Sequence, residues 1–298
     1  MTTLLPEPSG PASPATAPYP DAAQSHLQRA IAEGFGTDAG RYDRARPGYP
    51  AGLVGRIAAA SPGRDVLDAG CGTGIFSRLL AAAGCRVLGV DPDPRMAAAA
   101  RALGTAAEVA AFEDWDPSGR SFDLVTAAQA WHWVDPAAGA AKAAAVLRPA
   151  GRLAVLWNVF EPPAELQRAF AAVYREVLPD SPAAGFWDQP ALDGYRRTMG
   201  GRAADGMRRA GAFSEPEEWL DRWQRPYTRG EWLDLVPTTG GFTQRLAPAG
   251  ACGPCGRPAP QVPPVPASAP SSAARAGESL IEARCRAMIS RLGTGSAT

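Results

Sequence analysis

The chain has 298 residues, 46% of them hydrophobic, and its 30 Lys and Arg balance its 30 Asp and Glu to a formal charge of zero. That balance argues against a nucleic-acid partner, which requires a basic face to displace counterions. The longest apolar runs, such as residues 153–160, fall short of the roughly 18 needed to cross a bilayer. Residues 1–20 lack the basic flank and apolar centre of a signal peptide, so the chain reads as cytoplasmic, with reduced thiols and no membrane partner. A single lysine, Lys142, among the cations, with abundant Ala, Gly and Pro, reports GC-rich coding. Alanine helix propensity and isolated arginines therefore carry little weight.

Residues 1–20, rich in Pro, Ala, Ser and Thr, bury too little apolar surface to offset ordering entropy and read as a disordered leader. A short helix is predicted over Asp21–Glu33 and another over Ala51–Ala60, with a break at Pro47 to Pro50. Strands then alternate with helices. The strands are expected at Asp65–Ala69, Arg86–Val90, Ala107–Ala111, Phe122–Ala127 and Gly151–Asn158. The helices are expected at Ile75–Ala83, Pro94–Leu103, Pro136–Leu147 and Ala164–Val177. Near-continuous apolar strands separated by helices imply an α/β fold, a doubly wound, mostly parallel sheet covered on both faces. From about 180 to 210 short helical pieces suggest a cap. Glu217–Tyr227 alternates like one more strand, and Arg229–Val236 reads as a helix capped by Thr228.

After about residue 245 the chain becomes low in complexity, with a helical stripe returning only over about 278–292. The domain boundaries are accordingly a leader 1–20, a folded domain 21–244 (core sheet 62–160, cap and last strand 161–244) and a tail 245–298. The tail has the composition that a shifted reading frame through GC-rich DNA would produce.

The chemistry concentrates in Asp68-Ala69-Gly70-Cys71-Gly72-Thr73-Gly74, a strand running into alternate glycines and then a helix. Such glycines let backbone amides approach a ligand at a helix N-terminus. Ile75 stands where the dinucleotide fingerprint Gly-x-Gly-x-x-Gly needs its last glycine, which counts against a nicotinamide-dependent oxidoreductase. Asp68 suits a ligand bearing a positive group. Asp91, ending the next strand 21 positions after Gly70, can accept both hydroxyl hydrogens of a ribose. Together they specify an adenosine-type ligand at the carboxyl ends of the strands.

With these residues the chain, over about 35–240, resembles the class I methyltransferases that use S-adenosylmethionine (SAM). Arg41-Tyr42-Asp43-Arg44-Ala45-Arg46-Pro47-Gly48-Tyr49 and Gln129-Ala130-Trp131-His132-Trp133 are similar to the trans-aconitate methyltransferase-like branch (methyltransferase type 11). The resemblance implies a Rossmann-like fold with SAM as cofactor and a small-molecule methyl acceptor. It places Asp68, Gly70, Cys71, Gly72, Thr73, Gly74, Asp91, Pro92, Gln129 and Tyr42 at the cofactor, with Phe112 and Glu113 at its adenine. Phe112-Glu113 departs from the family's usual Ala-Glu pair. The Asn-Pro-Pro-Tyr signature of nucleobase methylation is absent after the fourth strand.

Trp131, Trp133 and Tyr49 are expected at the acceptor, where aromatic faces wall off water. His132 is the candidate general base, since an ordinary imidazole is half-neutral near pH 6.5. The family also implies a last antiparallel strand, for which the chain offers no candidate, so a SAM-binding protein impaired in turnover stands as the alternative. Cys252-Gly253-Pro254-Cys255 mimics a redox pair but lacks a strand before it and a helix after it. The cysteines and two histidines are too scattered for zinc, and no metal is expected.

Overall fold

The computed structural model describes residues 34–177 and 191–239. Five parallel strands form its sheet: β1 (Asp65–Ala69), β2 (Arg86–Asp91), β3 (Ala106–Val109), β4 (Phe122–Ala128) and β5 (Leu147–Leu156), in the order β3-β2-β1-β4-β5. β1 is central, pairing Val66 with Val87 on one side and Leu67 with Val125 on the other. Buried on both faces, it has no polar face to show, which is why Asp65-Val66-Leu67-Asp68-Ala69 reads as an apolar run rather than an alternation. The chain winds from β1 out to β3, then jumps back to β4. That reversal opens a crevice at the carboxyl ends of β1 and β4, the place where such sheets take ligands.

Nine α-helices flank the sheet among the described residues: α1 (Ala39–Ala45), α2 (Ala51–Ala60), α3 (Ile75–Ala82), α4 (Pro94–Ala102), α5 (Pro136–Val146), α6 (Ala164–Val177), α7 (Ala191–Tyr195), α8 (Gly201–Ala210) and α9 (Arg229–Leu235). Val54 and Ile57 of α2 and Phe76 and Leu80 of α3 pack with Val66 and Leu124 on one face of the sheet. Ala140, Ala143 and Val146 of α5 and Ala203 of α8 pack with Leu67, Val90 and Val125 on the other. Successive strand residues point to opposite faces, so Val66 and Leu67 necessarily serve different cores.

The helix starts follow capping chemistry. Asp93 accepts from the Arg95 amide ahead of α4, and Asp135 accepts from the Ala137 and Ala138 amides ahead of α5, each with proline in the first turn. Thr228 and Glu231 close a reciprocal capping box on α9, satisfying two amides at once.

The structure departs from the sequence reading in several places. α1 was not anticipated. The fifth strand begins earlier, at Leu147, and reaches its regular pairing after a bulge opposite Phe122–Leu124. The strand expected at Glu217–Tyr227 is not one: the run joins no ladder among the described residues. Its side chains are tied elsewhere. Arg56 of α2 stacks over Trp219 at 4.4 Å and pairs with Asp221, while Arg225 donates to the Arg46 carbonyl at 3.2 Å. These anchors tie the run to α2 and to Arg46, just after α1. Among the described residues the sheet ends at β5, and none of its strands is antiparallel. No helix among them is long and apolar enough to cross a membrane. The leader, the helices at 21–33 and 278–292, the tail with its Cys-Gly-Pro-Cys run and the first part of the cap lie outside the described residues.

Candidate functional site

A cavity of about 1110 Å³, its mouth included, opens at the carboxyl ends of β1, β2 and β4. Its floor is the turn after β1. Gly70, Gly72 and Gly74 have φ of 68°, 56° and 82°, left-handed values that a side chain would strain. Space adds a second constraint at two of them: a Cβ on Gly70 would lie 2.4 Å from the Ala130 Cβ, and one on Gly74 2.7 Å from the Thr105 hydroxyl. At Gly72 the nearest atom is a Tyr42 ring carbon at 4.0 Å, so bare backbone there faces open space. α3 starts directly at Gly74 with no side-chain cap, which leaves its first amides uncommitted to a capping group.

Two carboxylates stand over this turn. Asp91 accepts from the Gly72 amide at 2.8 Å and the Asp93 amide at 2.9 Å, one bond on each oxygen. Each oxygen therefore keeps acceptor capacity toward the cavity. Asp68, 1% exposed, accepts from the Ser77 hydroxyl at 2.6 Å and the Thr126 hydroxyl at 2.8 Å. Burial pushes both acids up to about 6, with their hydrogen bonds pulling the other way. Such carboxylates are costly alone and would be relieved by a cationic ligand.

Cys71 is a buried thiol whose Sγ occupies the space over Gly89, where a Cβ would come within 2.5 Å. Burial raises its pKa well above the ordinary value, so it is a packing group and not a nucleophile. Thr73 donates its hydroxyl to Asp43 of α1 at 2.7 Å, and Arg78 bridges the Asp43 carboxylate at 2.8 Å and the Thr73 carbonyl at 2.7 Å. This clamp fixes α1 over the glycine turn and brings Tyr42 to the wall.

Pro92, Phe112, Glu113, Gln129, Tyr49 and Trp133 also line the cavity. Phe112 is buried against Trp131 at 6.1 Å, and Glu113 accepts from the Asp135 amide at 2.9 Å. Gln129 takes φ 56°, rare for a residue with a side chain, and is held there by two bonds: its amide donates to the Leu156 carbonyl and its side chain to the Asn158 carbonyl, both at 2.9 Å. Tyr49 packs edge-on against Phe76 at 4.9 Å, and burial raises its phenol far above the usual range.

Three expected site residues fall outside the wall: Gly74, Trp131 and His132. Residues 131–133 form one tight turn, which sends consecutive side chains in different directions. Trp131 goes into the core at 2% exposure, Trp133 to the cavity, and His132 toward Trp157, whose indole donates to its Nδ1 at 3.2 Å. Burial, then the positive charges of Arg46 and Arg202, lower the His132 pKa to about 3. A partly buried imidazole with its basicity so lowered is a neutral hydrogen-bonding group, and it stands outside the cavity wall where a base toward the acceptor was expected. The sequence reading also missed Phe35, Arg46, Met96 and Asn158, all of them in the wall. None lies in the glycine motif, and only the chain's long-range contacts bring them there.

The wall thus offers a glycine cradle, a ribose-type acceptor in Asp91 and a net acidic lining. An adenosine carrying a positive group fits that set. Comparison with known proteins points to methyl transfer. Residues 67–155 match the family described as a methyltransferase domain. An uncharacterized methyltransferase of Mycobacterium tuberculosis is 41% identical over 139 residues, which cover 44% of this chain and 54% of that protein. The malonyl-[acyl-carrier protein] O-methyltransferase of Pectobacterium atrosepticum is 44% identical over 82 residues, 26% of this chain and 32% of that one. Among solved structures, a SAM-bound amino pentose methyltransferase from Micromonospora echinaspora aligns at 27% identity and a TM-score of 0.32, over 45% of this chain and 57% of that one. The chain spans about half the length of the mycobacterial relative it matches. Over residues 67–155 the chain thus matches a methyltransferase domain, which supports a place among the class I, SAM-dependent methyltransferases.

Proposed function

We propose that this protein transfers a methyl group from SAM to a small-molecule acceptor in the cytoplasm, with no nucleic-acid or membrane partner. SAM supplies a methyl carbon on a sulfonium, already activated for in-line displacement. The protein's part is to align the reactants and exclude water. In this reading the bare backbone at Gly70, Cys71, Gly72 and Thr73 packs against the cofactor, Asp91 accepts the ribose hydroxyls, and Asp68 faces the amino group. Pro92, Phe112 and Glu113 border the adenine, Gln129 and Tyr42 flank the methionine end, and Trp133 and Tyr49 face the acceptor. His132 does not serve as base, because its Nδ1 is already an acceptor for Trp157. The observation carrying the reading is Asp91 docked on the Gly72 amide beneath an open glycine cradle.

Calorimetry of the full chain with SAM, S-adenosylhomocysteine and NAD tests it. Binding of the first two and not the third is expected; heat from NAD alone would overturn it. A second reading, SAM binding without turnover, is favoured by the described sheet ending at β5. Binding of SAM with no product from labelled SAM across carboxylates, phenols and amines would select it. Resequencing the gene tests the frameshift expectation for the tail: no helix and alternating strand in either alternative frame beyond codon 245 removes it.

A further inference from the structure

Asp68 lies on the face of the sheet that α3 covers, and the core there is apolar, built from Val66, Phe76, Leu80 and Leu124. Two positions break that pattern. Ser77, in the first turn of α3, is 1% exposed, and Thr126 on β4 is fully buried. An apolar side chain at either place would have no hydroxyl to desolvate. Each hydroxyl has one hydrogen to give, and both give it to Asp68, Ser77 to one oxygen at 2.6 Å and Thr126 to the other at 2.8 Å. Thr126 is also the register partner of Asp68 where β1 pairs with β4, which sets the two side chains on one face. A helical serine more commonly bonds its own backbone one turn back, so the bond from Ser77 reflects its partner and not its helix.

No cation among the described residues pairs with Asp68. Asp91 at the end of β2 repels it, Cys71 and Tyr49 beside it are held neutral by burial, and Arg46 in the same wall is stacked on Tyr42 at 4.9 Å. We propose that Ser77 and Thr126 are positioning residues for cofactor binding, which together fix the Asp68 carboxylate as the receptor for the amino group of SAM. The inference rests on the SAM reading of the cavity. With one donor on each oxygen the carboxylate is pinned against rotation, and each oxygen keeps a lone pair for the ligand. The two bonds also favour the charged form against burial, so the anion is ready near neutral pH before the ligand arrives.

The test is calorimetry of S-adenosylhomocysteine, which keeps the amino group, on the full chain and on Ser77→Ala, Thr126→Val and Thr126→Ser across about pH 5 to 8. The unaltered chain should gain affinity as pH rises and the acids ionise, then level off. Ser77→Ala and Thr126→Val each remove a donor to the charged form. Their rise should move to higher pH by about one unit, with binding about tenfold weaker near pH 5.5 and little changed near pH 8. Thr126→Ser keeps a hydroxyl and should return the rise to its original place.

Packing alone acts without regard to the charge on Asp68. Affinity lost equally at every pH, or a rise left in place by both Ser77→Ala and Thr126→Val, therefore overturns the inference while leaving the SAM reading intact. An Asp68→Asn background separates the two acids, because Asp91 still titrates there and Thr126→Val should no longer move the profile. A shift that persists in that background ties the hydroxyl to another group and equally overturns the proposal. Urea melts of each variant establish that it folds; should Ser77→Ala fail to fold, Thr126→Val and Thr126→Ser decide alone. Failure of the unaltered chain to bind S-adenosylhomocysteine at any pH sinks the SAM reading, and this inference with it.

Discussion

Asp68 and Asp91 are buried acids whose pKa values burial raises to about 6, and this has opposite consequences for the free and the bound protein. Between the ordinary carboxyl value near 3.9 and 6, the folded chain binds more protons than the unfolded one, so their contribution to stability falls as pH rises. His132, lowered to about 3, works the other way: its contribution grows as pH rises toward 6.5. Two carboxyls against one imidazole leave a net decline. Asp68→Asn, which cannot ionise, should therefore raise stability at pH 7.5 by at most about 2–3 kcal/mol and flatten the slope between pH 4.5 and 6. Urea melts at several pH values measure it; a slope identical to the unaltered chain would refute the assignment. A cationic ligand favours the ionised acids, so SAM affinity should rise from pH 5 to about 6.5 and then level off. Proton release on binding, read by calorimetry in two buffers of different ionisation heat, is the check.

At the scale of elements, α1 has little of its own to hold it. Only Ala45 among its seven residues is buried, so no apolar stripe announced it in the sequence. It is held through Asp43, which takes both the Thr73 hydroxyl and the Arg78 guanidinium, and through its Asp38 cap. If that clamp positions the cradle, Asp43→Ala and Thr73→Val should each weaken SAM binding, and the pair should lose little more than Asp43→Ala alone. Additive losses in this double-mutant cycle would show that the two residues act separately. α8 meets α5 where Gly206 lies against Pro136: a Cβ there would stand 2.2 Å from the Pro136 carbonyl oxygen. Backbone cannot swing aside as a side chain can. Gly206→Ala should cost about 1–3 kcal/mol in urea denaturation, in contrast to Gly55→Ala on α2, where nothing lies within reach of the added methyl.

Across the whole molecule the sheet is unequal from centre to edge. β1 is covered on both faces and paired on both sides, with Val66 and Leu67 at 0% exposure. Among the described residues β5 pairs with β4 alone, and most of its residues are only partly buried. Amide exchange should follow this gradient, slowest in β1 and β4 and faster in β3 and β5. Protection in β5 equal to that in β1 would mean that another segment covers its free edge. At the other end of the strands lies a cluster of ion pairs, where Arg148 reaches Asp65 at 2.8 Å and Asp123 at 2.9 Å, and Arg86 reaches Asp65 at 2.6 Å. The balanced charge seen in the sequence is thus spent partly in exposed pairs, each worth little.

Most of the site's floor was legible in the residues themselves. A glycine turn between strand and helix, an aspartate at the next strand end, and caps such as Asp93, Asp135 and Thr228 are local geometries, set by backbone sterics and bonds across a few residues. The sequence also determined the parallel sheet, because doubly covered strands must be apolar throughout. The tertiary structure decided everything that depends on which space a side chain is given. It sent Trp131 to the core, Trp133 to the cavity and His132 to Trp157, though the three are adjacent in the chain. It brought Arg46 and Asn158 into one wall from positions 112 residues apart. It also kept Glu217–Tyr227 out of the sheet, because alternation prepares a strand but only a neighbouring strand with free amides and carbonyls makes one.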